Sequence, residues 1–239
     1  MNGQDRPSSR DQFGIAIICA LTLEANAVFC SLDEIWHDAP QIYSKAPGDP
    51  NQYVFGRSGR HPVVVVTLPG MGNVQSSGAA AYLSMSFVSI ELALLVGICG
   101  AVPYRPDGKD IILGDVVMSE VLVRLDFGRQ YPNEFRRKDT ILDRPAKQSH
   151  VILSLLKNWQ SPVMSQQLHT KMMEHLITLM CNPYIDTEYP TPSSDLLLAS
   201  EYIHKHHGVC FECSQAESTC ATALNASCEE LGCDPHMLI

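Results

Sequence analysis

Leu92-Ala93-Leu94-Leu95-Val96-Gly97-Ile98-Cys99-Gly100-Ala101, followed after a polar connection by Ile112-Leu113-Gly114-Asp115-Val116-Val117-Met118-Ser119, is the stretch around which this chain is organised. Leu92 to Val96 is a short continuous apolar run closed by glycine. Such a run reads as a strand buried on both faces. Glycine at its end lets the backbone take unusual conformations and lets another group approach the main chain closely. In open α/β sheets ligands sit just beyond the carboxyl ends of strands. The Gly97 to Ala101 turn is therefore a candidate small-molecule site. A tight turn between two core strands is the commoner meaning of an isolated Gly-x-x-Gly, so the neighbouring motifs have to decide.

Composition narrows the field. The chain has 239 residues, enough for one sizeable domain, and its hydrophobic content of 45% is that of a globular protein. Its net charge is −9, and its longest basic cluster is Arg136-Arg137-Lys138, which argues against a broad nucleic-acid surface. An anionic nucleotide needs only a few local cations and is not excluded. No apolar run approaches the roughly 20 residues of a membrane span. Residues 1–12 read as a polar, disordered leader with no apolar signal core. With nine cysteines, an odd count, the chain reads as cytoplasmic or otherwise intracellular, its thiols reduced.

Working outward from the organising stretch, Phe13 to Ala20 reads as a buried strand and Leu23 to Leu32 as a helix that Thr22 can cap. Asp38 to Asn51, with three prolines, reads as a loop. Gln52 to Gly56 and Pro62 to Leu68 read as a strand pair joined through Gly56 to His61. Pro69-Gly70-Met71-Gly72-Asn73 then feeds a helix over Ser76 to Phe87 that is rich in small residues. A glycine turn at a helix start presents backbone N–H groups to an anion, while small residues also simply allow close packing. Ile112 to Val123 reads as a strand, Leu125 to Asp143 as a polar loop, and His150 to Trp159 and Gln166 to Cys181 as helices. Asn182 to Ser194 reads as a loop.

Several of these motifs, in this order, resemble the nucleoside phosphorylase and nucleosidase superfamily. The resemblance rests on Gly97-Ile98-Cys99-Gly100-Ala101 and on Gly114-Asp115-Val116-Val117-Met118-Ser119. It is closest to the nucleosidase-like domain at the N-terminus of fungal multidomain receptor-like proteins. Ala46-Pro47-Gly48-Asp49-Pro50 and Asp126-Phe127-Gly128-Arg129-Gln130-Tyr131 also look like that branch. It covers most of Phe13 to Tyr131 and continues more weakly to Asp234. The fold it implies over 13–239 is α/β, a three-layer nucleoside-phosphorylase-like sheet flanked by helices. The activity it implies is cleavage of the N-glycosidic bond of a purine nucleoside or nucleotide, with no cofactor and no catalytic metal. Homo-oligomers are usual in the family, but nothing in the sequence fixes the assembly.

That cleavage passes through an oxocarbenium-like sugar, so the protein must present a nucleophile and protonate the leaving base. The resemblance places Glu24 where the nucleosidases hold the attacking water. The helix dipole would also favour a glutamate there for structural reasons. Gly70, Met71, Gly72 and Asn73 take the place of a ribose or phosphate cradle, and Ile98, Cys99, Gly100 and Ala101 that of the substrate turn. Phe127 and Arg129 join them, and Arg57, Arg60, Arg124 and Arg129 are candidate partners for a nucleotide's phosphates, since arginine forks suit phosphate. Bacterial-type phosphorylases bind phosphate with an arginine and a serine at the positions of Leu95 and Ile98, so the resemblance favours water over phosphate. The family's later Met-Glu pair and purine-protonating aspartate have no counterpart up to Ile239, and Asp115 and Asp126 match other positions. The resemblance thus implies a fold incomplete at its C-terminus and low turnover, or a binding and signalling role. A non-functional remnant is the third alternative.

A Cys/His-rich insertion over about 201–234 stands apart. Cys210-Phe211-Glu212-Cys213 is a Cys-x-x-Cys pair among further cysteines and histidines. Structural zinc and packed, reduced thiols both remain open. The lack of a second Cys-x-x-Cys, or of a standard finger spacing, favours thiols without a metal.

Overall fold

The computed structural model describes residues 6–104, 108, 110–119, 127–138, 147–184, 197–199, 201–215, 218–234 and 237, of 147–151 the backbone alone. The chain divides into two compact units, one of residues 1–101 and 117–187, the other of 102–116 and 188–239.

The first unit is built on β1 (Ile15–Cys19), α1 (Thr22–Ser31), β2 (Glu34–Ile35), α2 (Ala39–Ile42), β3 (Tyr53–Ser58), β4 (His61–Thr67), α3 (Asn73–Ser86) and β5 (Leu92–Leu95). The five strands form one mixed sheet in the order β2-β3-β4-β1-β5. β1 runs parallel to β4, with Ile15 beside Val63 and Cys19 beside Thr67, and parallel to β5, with Ile15 beside Leu92. β3 and β4 form an antiparallel hairpin. Strands occupy more of this hairpin than expected, because Ser58 pairs with His61 and only Gly59-Arg60 turn the chain.

The four valines of β4 show how the layers arise. Side chains alternate along a strand, so Val64 and Val66 face one way and Val63 and Val65 the other, and all four are buried. On one face they pack with Phe13, Trp36, Tyr43, Phe55, Leu83 of α3 and Phe87. On the other they meet Cys19 and, from α1, Ala25 and Val28. The layers are helix, sheet, helix, as the α/β reading requires.

Residues 6–12 depart from the expected disordered leader. Arg6 Nη1 donates to Asp38 Oδ2 at 2.8 Å and its guanidinium stacks over Trp36, 5.2 Å from the ring centre. Tyr43 Oη donates to the Pro7 carbonyl, and Arg10–Gln12 form one turn of 3₁₀ helix capped by Ser9. The loop expected over Asp38 to Asn51 contains α2 and, more importantly, the buried carboxylate of Asp49. That group accepts bonds from Tyr53 Oη at 2.7 Å, from Ser86 Oγ and from the Asn51 N–H at 2.8 Å. Asn51 Nδ2 donates to the Ala79 carbonyl at 2.9 Å, which fastens the loop to α3.

β5 forms at the edge of the sheet, but it is not buried on both faces as expected: Leu95 is 74% exposed. The aromatic and α1 layers cover the inner strands, and among the described residues the outer side of β5 has no neighbour in this sheet. The polar loop expected from Leu125 holds a separate hairpin, β6 (Gly128–Gln130) and β7 (Phe135–Arg137). Two helices follow, α4 (Lys147–Trp159) and α5 (Pro162–Met180), close to expectation. No strand forms over Ile112 to Ser119. Asp115 Oδ2 accepts the Ile112 N–H at 3.1 Å and the Asp115 N–H returns to the Ile112 carbonyl at 3.1 Å, so the chain turns there instead. This local side-chain bond competes with extended structure. Glu120 to Asp126, with Arg124, and Asn182 to Ser194 beyond Tyr184 lie outside the described residues.

Burial works against ionisation of Asp49, but the Ser86 and Tyr53 hydroxyls and the Asn51 N–H outweigh it and hold its carboxyl below the usual range. A depressed carboxyl stabilises the fold above its unfolded pKa of about 3.9, and that stability is lost as pH falls through the depressed value. Asp49→Ala is expected to cost about 2–4 kcal/mol in denaturant titrations at pH 7, because two buried hydroxyls lose their acceptor. The difference from the parent chain should shrink in acid.

Candidate functional site

The connections create a switch point. From β1 the chain goes to the β4 side of the sheet, and α3 then carries it back across β1 to β5. In open α/β sheets this is where ligands bind. The three parallel strands end together, and the ladder runs on past them: the Leu68 N–H donates to the Cys19 carbonyl at 2.8 Å and the Val96 N–H to the Ile18 carbonyl at 3.0 Å. Three segments leave this edge, Ala20-Leu21-Thr22 after β1, Pro69 to Gly72 after β4 and Gly97 to Ala101 after β5.

Glu24 links two of them. It is the third residue of α1, and its side chain turns back over the helix start. Oε2 accepts the N–H groups of Leu21 at 2.8 Å and Ala20 at 3.0 Å, and Oε1 accepts the N–H of Ile98 at 2.9 Å. The helix begins at Thr22, one residue earlier than expected, and its cap is Leu21, which has no polar side chain. Glu24 therefore does the capping expected of Thr22. The carboxylate is buried, and the N–H groups of Ile98 first, then Leu21 and Ala20, hold it below the usual range against the opposing effect of burial. It is ionised at neutral pH. Three of its roughly four lone-pair directions are taken, so Oε1 keeps one acceptor site.

Gly97 is explained by this carboxylate. A Cβ at Gly97 would lie 2.8 Å from Glu24 Oε1 and 3.1 Å from Cδ. A free glutamate would swing aside, but this one is held by three N–H bonds. The glycine thus makes room for a protein carboxylate.

Gly72 caps α3 with φ of 110°, a backbone shape that side chains disfavour. Gly70, Met71 and Asn73 flank it, Met71 largely exposed, and a Cβ at Gly70 or Gly72 would meet open space. Ile98, Cys99, Gly100 and Ala101 are exposed beyond Gly97. The structure thus sets Glu24, Gly70 to Asn73 and Ile98 to Ala101 on segments leaving one edge of the sheet. Phe127 and Arg129 are placed differently. They belong to the β6–β7 hairpin, a sheet of its own, where Lys138 Nζ sits 5.8 Å from the Phe127 ring centre. Arg57 and Arg60 lie at the turn between β3 and β4, roughly 20 Å of strand from the carboxyl end of β4. Arg57 pairs there with Asp33 and Glu34, both at 3.7 Å. They are not phosphate ligands of this edge. Outside the edge, the second unit gathers His206, Cys210, Cys213 and Cys220 in one group and His204, Cys228 and Cys233 in another, where packed thiols without a metal were expected.

A mixed α/β sheet with a charged residue and two glycine turns at its switch point has the arrangement at which open α/β sheets take small molecules. Over residues 14–227 the chain matches the phosphorylase superfamily, and it belongs to that family. A nucleotide-binding leucine-rich repeat (NLR)-like protein of Hyaloscypha variabilis is 30% identical over 139 residues, which is 55% of this chain and 14% of that relative. No solved structure matches. Among the described residues no helix is long and apolar enough to cross a membrane.

Two outcomes check the geometry around Glu24. Gly97→Ala is expected to displace its carboxylate and cost about 1–3 kcal/mol, read from thermal or denaturant unfolding. In an amide NMR pH series, the Ile98 signal should stay constant from neutral pH to the ordinary glutamate pKa of about 4.3 and titrate below it.

Proposed function

We propose that this chain is a nucleosidase-like domain that hydrolyses the N-glycosidic bond of a purine nucleoside or nucleotide at the carboxyl edge of its sheet. The observation that carries the reading is the ionised Glu24 carboxylate, fixed at the switch point with one acceptor site left on Oε1. A water bound there would be oriented by a fixed negative charge, which also stabilises the positive sugar forming beside it. A carboxyl held below its usual range is a weak base. Its part is to orient the water and favour the cation. As the C–N bond breaks the leaving base takes a proton from solvent, and once C–O bond formation is advanced the attacking water gives its proton to solvent at this exposed edge. Gly70 to Asn73, at the start of α3, offer the ribose or a phosphate an approach to the backbone, and Ile98 to Ala101 form the opposite wall.

Water is favoured over phosphate because the side chains of Leu95 and Ile98 are apolar and cannot bind an anion. The Ile98 N–H is also already engaged by Glu24. A second reading, nucleoside binding without turnover, is favoured by the three N–H bonds that already engage the Glu24 carboxylate and make it a weak base.

The test is product separation after incubating the folded chain with ATP, adenosine and guanosine, with and without inorganic phosphate. Free base is expected without phosphate, and Glu24→Ala should lower its release by at least about 100-fold while the circular dichroism spectrum is kept. Base released only with phosphate would overturn the assignment of water. Thermal stabilisation by these compounds without release would establish the binding reading.

A further inference from the structure

The segment from Glu201 to Asp234 has almost no apolar interior. Its buried cluster is Cys213, Cys220, Ala223 and Leu231, with Cys210, Ala226 and Cys233 packed partly against it. Among its described residues the only α-helix, α6 (Cys228–Leu231), is four residues long. A core this small does not hold a chain segment by hydrophobic burial, and segments of this size rely on disulfides or metals. All nine cysteines are free thiols, so disulfides do not supply the cross-link.

The donor atoms are gathered as a metal would require. In one group, His206 Nδ1 and the sulfurs of Cys210, Cys213 and Cys220 all lie within 4.8 Å of one another. The His206 nitrogen is 3.4 Å from the Cys220 sulfur and 3.6 Å from that of Cys213. In the other group, His204 Nδ1 is 3.5 Å from the Cys228 sulfur and 3.6 Å from the Cys233 sulfur. A tetrahedral zinc with ordinary Zn–N and Zn–S bonds separates an imidazole nitrogen from a thiolate sulfur by about 3.6 Å. Both groups have that spacing.

The surrounding bonds fit ligation as well. His204 Nε2 is 2.9 Å from the Ala226 carbonyl. A carbonyl can only accept, so Nε2 carries the hydrogen and Nδ1, which faces the sulfurs, carries the lone pair. A metal-bound histidine is ordinarily oriented in this way. The Cys220 N–H donates to the Cys213 sulfur and the Ala223 N–H to the Cys220 sulfur, each at 3.4 Å. Such bonds favour the thiolate form that binds metal.

We infer that this segment is a structural zinc module. One ion is held by His206, Cys210, Cys213 and Cys220, and a second by His204, Cys228 and Cys233. Three thiolates and an imidazole are a closed, soft donor set that selects zinc over magnesium or calcium and leaves no position for a substrate. The second group contributes three ligands among the described residues. The module holds the insertion together and takes no part in the chemistry proposed for Glu24.

The test is metal analysis of the full chain purified without chelator. About two zinc ions per chain are expected, and cobalt(II) exchanged into the protein should show the visible absorption of tetrahedral thiolate coordination. Cys213→Ala and Cys228→Ala should each lose one equivalent, His206→Cys should keep its ion, and Cys181→Ser, an exposed thiol outside both groups, should leave the zinc content unchanged. Should the alanine variants fail to fold, zinc content and the cobalt spectrum of the parent chain still decide. Stripping zinc should open 201–234 to proteolysis while the sheet stays folded. A folded chain with neither zinc nor the cobalt spectrum, or one whose cysteines in this segment are disulfide-bonded, overturns the inference. One equivalent that is lost in Cys213→Ala but kept in Cys228→Ala overturns the second ion alone.

Discussion

Three backbone N–H groups converge on one carboxylate, and the arrangement of the first unit depends on it. Glu24 closes the start of α1, holds the exit of β1 and reaches across to the exit of β5. Backbone donors at strand ends and helix starts have no partner in the regular ladders, and leaving them buried and unpaired is costly. One side chain satisfies three of them at the switch point, where the fold would otherwise be open. Position and ionisation of this group thus have a single cause. The donors that fix the carboxylate in space are the same ones that keep it charged, so a structural cap and a charged site coexist in one residue.

The sheet around it is unevenly supported. β4 is buried along its whole middle because it lies inside the sheet with a layer on each face, and its unbroken valine run follows from that. β1 shares this shelter. β5 carries an equally apolar run but stands at the edge, and it is exposed. Asp49 plays a corresponding part on the aromatic face, where one carboxylate organises two hydroxyls and an N–H between the loop before β3 and α3. The unit is therefore pinned by two buried carboxylates on otherwise apolar layers, one at the carboxyl edge of the parallel strands and one behind the sheet.

Much of this was legible in the sequence, and the rest was hidden for definable reasons. The valine run of β4, the apolar β1 and the helices after Thr22 and Gly72 are local patterns, readable from periodicity and turn residues alone. Family motifs in order carried the α/β class. What local pattern cannot show is a partner far along the chain: Gly97 reads as a turn glycine until Glu24, more than seventy residues earlier, is seen against it. The same apolar run describes a central strand and an edge strand, so the exposure of β5 was out of reach. At Ile112 to Ser119 the strand expected from the apolar residues was overridden by a local turn through Asp115. β6 and β7 are three residues each and largely polar, below what alternation can register. In the Cys/His-rich segment the residue types were plain, but their grouping was not, because the ligand spacings match no standard finger.

That grouping has an internal order. The His206 to Cys220 span lies wholly inside the span from His204 to Cys233, and the two histidines that open them are separated by a single lysine. The inner closure joins residues 14 apart and the outer one residues 29 apart. Doubling a loop costs only about 0.6 kcal/mol more entropy, so the two closures differ little if each forms alone. Once the inner one exists, however, most of the outer loop is already collapsed and little chain entropy is left to lose. With the inner ion bound first, the outer closure therefore costs less chain entropy than it would alone.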